Sequence, residues 1–366
     1  MTPKQLLYRA AGAAGTFAAV RASGWRRERL LVLCYHGVSM LDEHVCDPDL
    51  FVSPATLRGR LELLRDGGYR VLPLDEAVTR LYDGTLPPRS VALTFDDGFV
   101  DFAERAVPLL EEFRMPATVY LTTYYSERRL PVFNTALRYL LWKGQASGGD
   151  VAPVVGAPAP LGVADAASRR AVWAAVRQFA RDHKLSGAEK DALLARVAAA
   201  VGVDYDAFRQ TRVHQIMAPE QVRALPAGLV DVELHTHRHR TPRHEAQFRR
   251  ELVDNRVRIE ALTEGRTPRH FCYPSGDYDG AFLGWLRAEG VRTATTCIPG
   301  LASVESEPLL MPRFVDTELQ PAAAFEAWAS GFAELLPRSR QYQLDPARLG
   351  DAEDGAPPPV AACPVP

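Results

Sequence analysis

The groups in this sequence best suited to chemistry are two adjacent carboxylates and three closely spaced histidines. Asp96 and Asp97 stand in Thr94-Phe95-Asp96-Asp97-Gly98, directly after the apolar run Val91–Phe95. Neighbouring like charges at the end of a buried strand oppose each other's ionisation, and a bound cation relieves that cost. Gly98 lets the backbone turn sharply beside them. The alternative is a plain Asp-Asp-Gly turn, but a place at the carboxyl edge of a sheet favours function over that. His235, His237 and His239 follow a second apolar run, Leu229–Leu234. Four residues separate His235 from His239, and on one helical turn that spacing brings both imidazoles to one side. Two histidines and a carboxylate suit Zn²⁺ or another first-row divalent ion and leave positions for water and substrate. A solvated, Arg-rich helix start is the alternative for this segment.

The elements that must position these groups alternate. Leu30–Tyr35, Val91–Phe95 and Ala117–Leu121 are expected as buried strands. Between them lie helices that begin at Ser53-Pro54 and cover Ala103–Phe113. Strand-helix-strand alternation argues for a parallel α/β sheet or barrel. The pattern breaks over residues 131–215, expected as a helical insertion with a flexible loop at Gln145–Ala164 and Ala-rich helices at Arg169–Ala180 and Glu189–Val201. It resumes with strands at Leu229–Leu234, His270–Tyr273, Val291–Thr296 and Leu309–Phe314. Helices are expected at Glu245–Leu262, Phe282–Glu289 and Ala322–Leu335. Residues 341–366, rich in Pro and Ala, are expected to be disordered.

The chain has 366 residues, is 47% hydrophobic and carries a net charge of −2, so no basic field marks nucleic acid as a partner. Its five cysteines include no C-x-x-C pair, which argues against a disulfide framework and against a cysteine zinc site. Ala10–Val20 is too short to span a bilayer. With Lys4, Arg9, Arg21, Arg26 and Arg27, residues 1–28 are expected either to lie peripherally on an anionic membrane surface or to pack on the domain. The expected location is cytoplasmic or membrane-surface.

Thr94–Gly98 followed far downstream by His235-Thr236-x-x-His239 resembles the NodB-homology polysaccharide deacetylases, carbohydrate esterase family 4. The flanks agree: Tyr35-His36-Gly37-Val38, Phe271-Cys272-Tyr273-Pro274-Ser275-Gly276, Gly290–Thr296 and Leu310-Met311-Pro312-Arg313-Phe314 each resemble a family segment. The resemblance implies a distorted (β/α)₇ barrel, divided here into residues 29–130 and 216–340 around the insertion. It implies a metal-dependent hydrolase that removes N-acetyl groups from amino sugars of a glycan, with Zn²⁺ the expected ion. Asp96 is then the general base, and Asp97, His235 and His239 the metal ligands. Ser275 supplies a backbone N–H to the oxyanion. His237 competes for the first histidine place, but the residue four beyond it is Thr241, a poor ligand.

Two departures stand out. Cys272 occupies the position where many members carry an arginine that orients the base. The usual histidine acid is absent, with Arg313 in the matching segment. His36 is therefore the expected acid or orienting group, or else a histidine simply hydrogen-bonded at a strand end; His244 and His270 are weaker candidates. Tyr273, Tyr278 and Trp285 are either sugar-stacking rings or core. Hydrolysis of a non-sugar amide, or carbohydrate binding without turnover, are the alternative functions.

Overall fold

The computed structural model describes residues 2–337, 343–345 and 348–349. Seven parallel strands form its main sheet: β1 (Leu31–Tyr35), β2 (Ser90–Phe95), β3 (Ala117–Leu121), β4 (Val230–Leu234), β5 (His270–Cys272), β6 (Thr293–Thr295) and β7 (Phe314–Val315). Their order is β7-β1-β2-β3-β4-β5-β6, and the short strand Arg70–Val71 also pairs with β2. Met311 bridges to Thr295 on β6, while Phe314 pairs with Leu33 on β1, so one segment links both ends of the curled sheet. The sheet is thus a distorted (β/α) barrel. Every residue of β1, β2 and β3 is buried, because helices cover one face and the barrel interior the other. The closing strand is shorter than the apolar run Leu309–Phe314 suggests. Pro312 offers no N–H to a ladder, and residues 308–310 form a 3₁₀ turn instead.

Register places the chemistry. Tyr35 pairs with Phe95, and Leu121 with Leu234, which in turn pairs with Phe271. The residues that follow these aligned ends (His36, Asp96, Thr122, His235) therefore emerge together at the carboxyl rim.

Residues 133–213 carry a second hydrophobic cluster that includes Phe133, Leu137, Val172, Val176, Leu193, Val197 and Phe208. Its main helices are α1 (Phe133–Lys143), α2 (Ala166–Asp182) and α3 (Gly187–Ala200). The segment expected as a flexible loop is tied down. Val151 and Val163 are buried in this cluster, and Asp150 bridges to Gly162.

The N-terminal segment packs on the barrel through Tyr8 and Phe17, which join the main core. Arg26 is turned inward and hydrogen-bonds the carbonyls of Ala329, Arg29 and Ser90, so its charge is not available to a membrane. No helix of the described residues is long and apolar enough to cross a membrane. Most of the expected tail lies outside the described residues, but Asp345 donates its N–H to Tyr278 Oη at 2.6 Å.

Candidate active site

Asp96 leaves β2 with its N–H bonded to the Tyr35 carbonyl at 2.8 Å. Its carboxylate is 2% exposed and receives a two-pronged bond from Arg313, Nη1 to Oδ1 at 2.8 Å and Nη2 to Oδ2 at 2.6 Å. Burial opposes ionisation of Asp96, but the charge and hydrogen bonds of Arg313 outweigh it and hold the group well below the usual carboxylate range. The thiols of Cys272 and Cys34 approach Oδ2 at 3.3 and 3.6 Å. Arg313 Nη2 also donates to Cys272 Sγ at 3.0 Å. The guanidinium that orients Asp96 thus comes from the closing segment of the barrel rather than from the β5 end, where Cys272 leaves room for it.

Asp97 has φ 68°, a left-handed conformation that costs a non-glycine residue about 1–3 kcal/mol. Gly98 follows at φ 79°, and a Cβ there would lie 2.5 Å from Leu121 Cδ1, so glycine is required. Asp97 Oδ1 lies 3.1 Å from Nε2 of both His235 and His239. The donor atoms of these three residues fall within 4.8 Å of one another. His235 Nδ1 lies 2.9 Å from the Cys272 carbonyl, which fixes the tautomer whose Nε2 lone pair faces Asp97. Burial works against charge on His239, but the Asp97 carboxylate prevails and raises its pKa.

The expected helical turn at His235–His239 is not present. The segment is a bent loop with positive φ at Thr236 and His239, and this bend, not an α-helical face, brings the two rings to 4.9 Å. His237 faces elsewhere: its Nδ1 lies 2.8 Å from Thr123 Oγ1, and burial lowers it to about 4.

His36 Nε2 is 3.7 Å from Asp96 Oδ2. Burial lowers its pKa below 6.5 despite Asp96, so it is neutral near pH 7. Ser275 (φ 57°) lines the same cleft at the end of β5. His270 bonds Thr293 and Asp75 at the amino end of β5, and His244 is exposed; neither lines the cleft. Tyr273 and Tyr278 are buried core residues, and Trp285 is half-buried against Phe248 and Phe282; none of the three lines the cleft.

Sequence patterns missed three contributors. Asn255 accepts the His235 N–H and donates to the Leu121 carbonyl, tying β4 to β3 at the rim, yet in sequence it is one polar residue of a long charged helix. Arg313 was visible only as a departure. The insertion contributes Trp173, Arg177 and Lys190 to a cleft of about 810 Å³ over Asp96 and Asp97, and no spacing links them to the barrel motifs.

The family model described as polysaccharide deacetylase matches residues 83–152 and 161–294, more than half of the chain, and the protein belongs to that family. The poly-beta-1,6-N-acetyl-D-glucosamine N-deacetylase of Escherichia coli (strain K12) is 31% identical over 94 residues. That stretch is 25% of this chain and only 14% of that protein, so most of the relative's length is unmatched. The fold is similar to the Streptococcus pyogenes deacetylase PplD solved in complex with acetate, with a TM-score of 0.53 and 17% identity over 80% of this chain and 93% of that one. It is also similar to IcaB from Ammonifex degensii, with a TM-score of 0.50 and 19% identity over 82% and 97% of the two chains.

Proposed function

We propose that this chain is a metal-dependent hydrolase that removes N-acetyl groups from amino sugars of a glycan. The observation that carries the proposal is the convergence of Asp97, His235 and His239 beside an ionised, arginine-held Asp96. The donor set suits a divalent cation, zinc first. One carboxylate oxygen and two imidazole nitrogens converge, and a hydrogen bond behind His235 sets its tautomer. A cation held there would polarise the acetyl carbonyl and acidify water.

The chain's own groups account for the remaining roles. Asp96, kept anionic by Arg313, takes the proton of the attacking water. The Ser275 N–H steadies the developing oxyanion. His36, neutral and 3.7 Å from Asp96, takes that proton on from Asp96 and passes it to the leaving amine, so the proton lost by water is the one the amine gains.

Acetate release from N-acetylglucosamine oligomers tests the proposal, using protein stripped by a chelator and then reloaded with zinc. Turnover should vanish on stripping and return with zinc, and Asp96→Asn should lose roughly 10²–10⁴-fold in kcat while keeping its metal. A stripped enzyme at full rate, or Asp96→Asn with near-normal kcat, contradicts it.

A further inference from the structure

We propose that the helical insertion gives the cleft an anion-binding wall, and that the substrate is a glycan carrying phosphate or carboxylate groups close to the acetylated sugar. This rests on the deacetylase proposal for the same cleft and goes on to name its substrate class. Trp173 and Arg177 on α2 and Lys190 on α3 line the cleft that holds Asp97 and His239. The Trp173 indole is fixed by its Nε1 donating to the Asn134 carbonyl at 3.1 Å. The Arg177 guanidinium lies 3.9 Å from the centre of that ring and covers its face. A neutral sugar is ordinarily received by an open aromatic face, and here a cation occupies it.

Charge pairing separates these cations from the others nearby. Arg138 is bonded to Asp47 at 2.5 Å, and Arg238 is held by Glu251 and Asp254. Among the described residues Arg177 and Lys190 are in no ion pair, although both are half-buried on the cleft side of their helices. Burial, with Arg181 and Arg138 adding to it, disfavours the charge on Arg177, and an anion would relieve that. A solvated helix face would put such side chains fully outward. Planar, two-pronged donation from a guanidinium, with an ammonium lining the same cleft, is chemistry that receives phosphate or carboxylate.

The test is acetate release by the zinc-loaded full chain from three oligomers of matched length: neutral N-acetylglucosamine, one alternating with a uronate, and one bearing 6-phosphates. At least one anionic oligomer should exceed the neutral one in kcat/KM by about tenfold, chiefly through KM. The double variant Arg177→Gln/Lys190→Gln, and added salt, should bring that ratio toward one. Which anionic oligomer is preferred distinguishes a phosphate source from a carboxylate source. A ratio near one in the parent, or a ratio unchanged in the variant, overturns the proposal. Should none of the oligomers release acetate, the deacetylase proposal fails by itself. The fluorescence of Trp173, assigned with Trp173→Phe, then decides the wall. Saturable quenching by the phosphorylated or the uronate oligomer that is lost in the double variant supports it, and no quenching by either overturns it.

Discussion

Arg313 grips Asp96 with both nitrogens of its fork, at 2.8 and 2.6 Å, across 217 residues of chain and wholly out of solvent. A charge-assisted, two-pronged bond of this kind both fixes the direction of a carboxylate and keeps it ionised. Arg313→Lys should keep the charge but lose the fork, lowering kcat on an N-acetyl substrate by at least about tenfold. Asp96 is ionised well below the usual carboxylate range, so the base is lost only as pH falls through that depressed value. Weakening its partner should move the acid limb of the kcat/KM profile to higher pH. Arg313→Met, which leaves a buried carboxylate alone, should cost about 3–5 kcal/mol in urea unfolding. An unchanged profile and kcat in Arg313→Lys would remove Arg313 from the positioning of the base.

His36 stands on the other side of the same carboxylate. An amine leaves poorly unless protonated, whereas a phenolate leaves unaided. His36→Ala should therefore lower kcat on N-acetyl sugars by roughly 10²-fold or more and affect an activated phenyl acetate far less. Equal loss on both substrates would assign His36 to orienting Asp96, and no loss on either would take it out of the reaction.

His214 makes a prediction away from the site. It sits at φ 59° between Phe51, Tyr139 and Phe208, with neither ring nitrogen hydrogen-bonded. Burial lowers it to about 3. Below the ordinary histidine value near 6.5 the unfolded chain binds a proton that the folded chain refuses. Stability from this group is thus whole above that pH and falls by about 1.4 kcal/mol per unit as pH drops toward 3. In urea titrations from pH 7 to pH 5, His214→Phe should lose less stability than the parent. Parallel losses would show that His214 does not contribute.

The barrel was legible because its strands are short continuous apolar runs, and β3 and the helix Glu245–Leu262 fall where periodicity puts them. The site motifs were legible because strand ends in one parallel sheet share a rim, so residues distant in sequence needed only a common register to meet. The partner of Arg313 was not: Leu310–Phe314 resembles a family segment, but a lone arginine after Met-Pro has no period to mark the carboxylate it holds. The His235–His239 geometry was reached for the wrong reason. A four-residue spacing looks helical, yet Thr236 and His239 bend the chain through positive φ, which depends on tertiary support that spacing does not encode. Gln145–Ala164 misled because Gly and Pro suggest mobility, while two buried valines decide the outcome.

If Asp97, His235 and His239 form one metal centre, the chain binds one divalent ion through them, and counting that ion decides it. Elemental analysis of zinc-loaded, desalted protein should find one ion per chain in the parent and in His237→Ala, whose ring faces Thr123. Asp97→Ala and His239→Ala should each lose most of that ion. Full occupancy in both of those variants, or loss in His237→Ala alone, would contradict the assignment.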